Sequence, residues 1–212
     1  MFSDPGYSLY RKNASVLPLP SAFFYGYNEK CGFATVTPEI PLTQLKKINK
    51  GKYSVDPNIK KQALRTFTYG LYAVSCADEG EVNIFTANWL TQISFDPPLI
   101  AVSVENDSKS LGMILRSRVL TINVYRDGER DLAGKLGKSA IQHPDKLNGI
   151  EYELGANGCP ILHNALAWVA CEVLHTAPAG DSTLIVAAVV DVGMLGEGRS
   201  LTMSEAGFRH AG

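Results

Sequence analysis

Two short stretches hold the side chains best suited to chemistry. The first, Thr86-Ala87-Asn88-Trp89-Leu90-Thr91-Gln92-Ile93-Ser94-Phe95-Asp96-Pro97-Pro98, sets hydroxyl and amide groups between two apolar runs, Tyr69 to Ala77 and Leu99 to Val104. It lies where a core is expected, and buried polar groups cost free energy unless they are paired. The stretch therefore bonds to itself or packs against something flat and polar. The second, Val104-Glu105-Asn106-Asp107-Ser108-Lys109-Ser110, runs from a strand end into a helix start, with a hydroxyl and a lysine at the turn. Backbone N–H groups and the positive dipole end attract a phosphate there, although Ser108 serves equally as a plain helix cap. Together the two stretches offer a ring edge at Thr86 to Trp89 and an anion seat at Ser108 and Lys109.

The surrounding pattern supplies elements to carry them. Asp56 caps a short helix whose first position suits Pro57, with Ile59, Ala63 and Leu64 as its apolar stripe. Tyr69 to Ala77 is strand-like, and Asp78-Glu79-Gly80 turns the chain into Val82 to Phe85. Leu99 to Val104 and Val119 to Val124 are further strands. Ser108 to Arg116, with Leu111, Ile114 and Leu115 on one face, and Gly128 to Leu136 are short helices. After a loop at His143 to Leu147 and an edge strand at Ile150 to Leu154 come two long strands, Ala165 to His175 and Leu184 to Val192. The turn Ala177-Pro178-Ala179-Gly180-Asp181 joins them, and the second is apolar enough to be covered on both faces. Strands outnumber helices, so a closed or partly closed antiparallel barrel fits better than a doubly wound sheet.

Several function classes are excluded. There is no G-x-G-x-x-G after the first strand and no P-loop, so the usual nucleotide folds do not apply. Cys31, Cys76, Cys159 and Cys171 lack C-x-x-C spacing and read as reduced thiols, and the scattered His143, His163, His175 and His210 argue against a metal site. No apolar run approaches the ~18 residues of a membrane span, and Asp4 interrupts any leader-like N-terminus, so a cytoplasmic protein is expected. Net charge is −1 but uneven: residues 1 to 61 hold nine Lys/Arg against four Asp/Glu. Residues 1–55 also carry Pro5, Pro18, Pro20, Pro38 and Pro41 together with Phe23, Phe24, Tyr25 and Tyr27. That composition predicts an ordered, irregular N-terminal arm beside a domain over 56–212. The arm packs on the acidic body, or Lys46, Lys47, Lys50 and Lys52 attract a phosphorylated ligand; the basic character is too diffuse for nucleic acid.

The order of motifs also carries a resemblance. Tyr69-Gly70-Leu71-Tyr72, Thr86-Ala87-Asn88-Trp89, Ser94-Phe95-Asp96-Pro97-Pro98 and Val102 to Ser108 resemble the flavin reductase-like family of FMN-binding split barrels. Gly158-Cys159-Pro160, Ala167 to Glu172, Gly180-Asp181 and the tail Gly207 to Gly212 extend the likeness across residues 62–212. The resemblance implies a mainly β, antiparallel Greek-key split barrel with a few short helices, forming a homodimer with FMN near the subunit interface. It implies that Thr86, Ala87, Asn88 and Trp89 meet the flavin ring, that Ser94 contacts or supports it, and that Ser103, Asn106, Ser108 and Lys109 hold the ribityl-phosphate side. By the residues alone, Trp89 serves equally as a core aromatic, Thr86 and Asn88 as strand and turn bonding, and Gln92 and Ser94 as supports. The implied activity is hydride transfer from NADH or NADPH to flavin, with electrons passed to free flavin, oxygen or a partner oxygenase. The other implied role is an FMN-binding carrier with little turnover. Two departures bear on that choice: Ser182 stands where the family commonly has histidine, and His210 where it often has tyrosine. Both are candidate catalytic positions beside the nicotinamide.

Overall fold

The computed structural model describes residues 55–209. The expected N-terminal arm, Cys31, the lysines at 46–52 and the tail from His210 lie outside the described residues. The first element is α1 (Pro57–Leu64), which starts as expected: the Asp56 carboxylate accepts from the N–H groups of Asn58 and Ile59. Its apolar stripe does not enter the core, because none of its residues is buried.

The body is antiparallel sheet. In chain order it comprises β1 (Tyr72–Asp78), β2 (Glu81–Ala87), β3 (Leu90–Phe95), β4 (Pro98–Glu105), β5 (Val119–Val124), β6 (Tyr152–Leu154), β7 (Pro160–Leu162), β8 (Ala167–Ala179) and β9 (Ser182–Met194). Helix α2 (Lys109–Ser117) lies between β4 and β5, and α3 (Arg130–Leu136) follows β5. Seven strands form one sheet in the order β2-β1-β5-β8-β9-β4-β3, and β6 and β7 pair separately. The two tight hairpins follow their turn chemistry. Glu79 and Gly80 both take positive φ between β1 and β2, and Gly180 does so as the first turn residue between β8 and β9. Those conformations match the right-handed twist of paired strands.

The strand order forces the sheet to curl. β2 and β3 sit at opposite ends of the sheet, yet only Asn88 and Trp89 separate them in the chain. Two residues reach roughly 7 Å when extended, so the two ends must come together and the sheet wraps into a barrel. Alternation then gives every strand an inner and an outer face. Val74 and Cys76 of β1, Ala87 of β2, Val102 and Val104 of β4, Leu120 and Ile122 of β5 and Ile185 of β9 form the inner core. Leu111, Met113 and Ile114 of α2 join it, each burial contributing about 1.5–3 kcal/mol. On the outer face, Ala73 and Ile84 pack with Tyr125, with Ala133 and Leu136 of α3, and with Leu201, Met203 and Ala206 of the C-terminal segment. A buried polar set ties the 157–162 segment to the sheet: Ser75 donates to the Pro160 carbonyl, and Asn123 both donates to that carbonyl and accepts from the Leu162 N–H.

Four local expectations are corrected. The stretch from Thr91 to Pro98 is not in the core: it is the exposed β3–β4 hairpin, with Phe95 91% exposed at its tip. It does bond to itself, since the Gln92 amide donates to the Ser94 carbonyl. The apolar face of α2 turns on Met113 and not on Leu115, which is exposed. Pro178 and Ala179 belong to β8, so the turn before β9 is only Gly180 and Asp181. β3 and β7 were not legible as strands.

Candidate functional site

Most of the nominated residues lie at the β2–β3 link and the adjoining end of β4. Inner residues Ala87, Val102 and Val104 leave Thr86 and Ser103 on the outer face by alternation. Any ligand these side chains hold sits against the barrel wall and not inside it. Ala87 is buried in the core, so only its backbone is available to a ligand.

Thr86 and Asn88 form one group. The Thr86 hydroxyl donates to the Ala133 carbonyl at 2.7 Å and lies 2.8 Å from the Tyr125 hydroxyl. With its single proton given to Ala133, Thr86 accepts from Tyr125. Burial raises the Tyr125 pKa well above the usual phenol value, so that proton stays in place. The neighbouring Glu129 carboxyl is also raised by burial, while it accepts from the Arg126 backbone N–H. Asn88 directs its amide to the Met203 sulfur at 3.0 Å. A thioether is a weak acceptor, and the amide has a second N–H to offer a ligand.

Asn106, Ser108 and Ser182 form a second group at the far end of β4. Glu105 pairs with Ser182 in the ladder, and the Asn106 backbone N–H donates to the Asp181 carbonyl. The Asn106 side chain accepts from Thr183 at 2.8 Å and donates to the Gly180 carbonyl. Ser108 is the N-cap of α2: its hydroxyl donates to the Glu105 carbonyl and accepts from the Leu111 N–H. Lys109 pairs with Glu81 at the start of β2. Ser182 is buried, with its hydroxyl donating to the Asp181 carboxylate at 3.1 Å. An open groove of about 430 Å³ lies at this end, with Asn106, Asp107, Ser108, Lys109, Arg116 and Ile141 in its lining.

Trp89 and Ser103 join the two groups, because the Ser103 N–H donates to the Trp89 carbonyl at 3.0 Å. Ser94 is not brought to them. It pairs with Leu99, four residues from Ser103 along β4, or roughly 13 Å at strand rise. His210 lies outside the described residues. Sequence reasoning missed Tyr125, Ala133 and Met203, which hold the Thr86 and Asn88 side chains. Only the alternation of β2, which turns Thr86 away from the core, could have pointed to partners on that side. Among the described residues no set of three or more His, Cys, Asp or Glu could hold a metal.

The donor set suits a flavin in chemistry. One end offers a neutral amide and a half-buried indole at Asn88 and Trp89, and the other offers a helix N-terminus with a hydroxyl cap and a lysine. Neutral donors match ring carbonyls, and a helix N-terminus with a capping hydroxyl matches a phosphate.

Comparison with known proteins gives this arrangement a class. The model of the flavin reductase like domain matches residues 64–212, and the chain belongs to that family. An NADH-dependent flavin reductase from a Rhodococcus species is 33% identical over 64% of this chain and 76% of its own length. A flavin reductase from Pseudomonas putida is 27% identical over 73% of this chain and 90% of its own. The chain spans 42% and 62% of two longer relatives, from Rhizobium meliloti and Moorella thermoacetica. The crystal structure of an FMN-binding protein from Thermus thermophilus superposes with a TM-score of 0.60 at 28% identity, covering 68% of this chain and 79% of that one.

Proposed function

We propose that this protein is an FMN-dependent oxidoreductase that accepts hydride from NADH or NADPH and passes electrons to free flavin, oxygen or a partner oxygenase. The family match over residues 64–212 carries the proposal. In this reading the Asn88 amide keeps one N–H on the Met203 sulfur and gives the other to a carbonyl of the flavin ring, and Trp89 flanks the ring. Ser103 contacts the ribityl chain, and Asn106, Ser108 and Lys109 hold the phosphate. Thr86 acts through the position of its strand, since its hydroxyl is already engaged on both sides. Bound flavin supplies the hydride-accepting chemistry itself. The chain's part is to stack and orient, which requires no acid or base at the transfer step.

A second reading, an FMN carrier with little turnover, draws on Ser182. Its hydroxyl is buried and given to Asp181, so it offers nothing to a nicotinamide. An absorption spectrum of the purified protein, taken before and after NADH and then NADPH without oxygen, separates the two. Bleaching of a yellow protein supports the reductase, a stable yellow colour supports the carrier, and a protein that binds no added FMN rejects both.

We further propose a split-barrel domain over residues 56–212 with a separate arm over 1–55, a homodimer, and a cytoplasmic setting. The dimer rests on an apolar strip: Val190, Val192 and Met194 of β9 are 50%, 59% and 72% exposed in the single chain. These residues run beyond Ala188, the last β9 residue paired with β4, and among the described residues no other strand pairs with β9 on that side. Among the described residues no helix is long and apolar enough to cross a membrane.

A further inference from the structure

The C-terminal segment meets the candidate flavin seat at one point, where the Met203 sulfur receives the Asn88 amide. Met203 is 7% exposed, and its N–H donates to the Tyr69 carbonyl. It opens a compact turn in which the Ala206 N–H donates to the Thr202 carbonyl and the Phe208 N–H returns to the Met203 carbonyl. Arg130, the first residue of α3, locks that turn from outside. Its Nε donates to the Ala206 carbonyl at 2.7 Å, and its guanidinium lies 5.6 Å from the centre of the Phe208 ring. Gly134, one helical turn on, also faces the Phe208 ring, which a Cβ there would meet at an ordinary contact distance of 3.7 Å. The same helix receives the Thr86 hydroxyl at Ala133. One short helix thus holds Thr86 directly and Asn88 through Met203.

We propose that Arg130 is a positioning residue for the flavin seat and that Met203 is the element through which it acts. By fixing the 203–208 turn, Arg130 keeps the Met203 sulfur where it aims the Asn88 amide at the ligand. The weak thioether acceptor orients the amide without competing strongly for it. Pre-orientation of this kind raises affinity by removing an ordering cost at binding. The inference rests on the flavin-binding reading of the site.

The test titrates FMN against the full-length protein and its Arg130→Ala, Arg130→Lys and Met203→Leu variants, following flavin fluorescence and the absorption spectrum of the bound flavin. Amide hydrogen exchange over residues 203–208 is measured without ligand. Arg130→Ala is expected to weaken FMN binding about five- to tenfold, shift the bound-flavin spectrum and speed exchange at Phe208. Arg130→Lys, which keeps a donor to Ala206 but loses the planar stack on Phe208, should lie between. Met203→Leu should weaken binding with exchange unchanged. The proposal is overturned if Arg130→Ala and Arg130→Lys speed exchange while affinity and spectrum stay at wild-type values, because the clamp would then be purely structural. It is also overturned if exchange does not change. Wild-type protein that binds no FMN would defeat the underlying reading itself, a failure visible before any substitution is made.

Discussion

Thr86 has the residue type and position of a ligand contact, yet its hydroxyl has two protein partners. Thr86→Val keeps the shape and removes the oxygen, leaving the buried Tyr125 hydroxyl and the Ala133 carbonyl without it. Loss of about 1–3 kcal/mol in urea unfolding is expected, with FMN affinity within twofold of wild type. A large affinity loss at unchanged stability would return Thr86 to direct contact. The thiols behave uniformly. Burial pushes Cys76 and Cys171 up to about 12 and Cys159 up to about 11, each chiefly by desolvation. A thiol held in its protonated form is a poor nucleophile. These three should resist an aromatic disulfide reagent at pH 8 until the protein unfolds, and any of them reacting at the rate of a free thiol would contradict their burial.

At the scale of elements, α3 is held at both ends. Its C-terminal carbonyl at Leu136, with that of Lys138, accepts from the ammonium of Lys146, which is buried at 4% exposure. A cation suits the negative end of a helix, but burial lowers the Lys146 pKa to about 8. The unfolded chain binds this proton more tightly than the folded one. Stability from this group therefore rises with pH between about 8 and the ordinary lysine value, and is flat below that window. Lys146→Ala should lose about 2–4 kcal/mol near neutral pH, since it removes a buried stem and strands two carbonyls. Denaturant midpoints measured from pH 7 to 10 should rise for the wild type relative to the variant; parallel curves would sink the assignment. Legibility differed among elements for a physical reason. β5 and the start of α2 were read closely because periodicity and a capping serine mark them locally. β3 escaped because an edge strand facing solvent keeps polar side chains and mimics a loop.

At the scale of the molecule, the barrel class was legible from strand count and turn chemistry, but the side of the wall holding the candidate site was not. That depends on which face Thr86 and Ser103 take, and alternation decides it only once β2 and β4 are in register with their neighbours. The dimer expectation belongs here too. Val192→Arg places a charge in the exposed strip of β9. It should keep the chain folded, with an unchanged far-UV spectrum, and turn a sedimenting dimer into a monomer at micromolar concentration, losing only the stability that association adds. A wild type that sediments as a monomer removes the strip as an interface.

The two-residue link of Asn88 and Trp89 also sets an order of events. The β1–β2, β3–β4 and β8–β9 hairpins join neighbours in the chain and can form early, each closing a short loop. Closure of the barrel waits for β9 to reach β4, where Thr183 meets Asn106 across 77 residues, and contacts of such separation are slow to form. The Asn88–Met203 contact spans 115 residues. During synthesis the first two of these hairpins emerge with Asn88 and Trp89 between them, before Met203, the Asn88 partner, and Gly180 and Thr183, the Asn106 side-chain partners, have been made. If FMN takes the proposed seat, its capture waits until Met203 has been made, well after the hairpins on either side of Asn88.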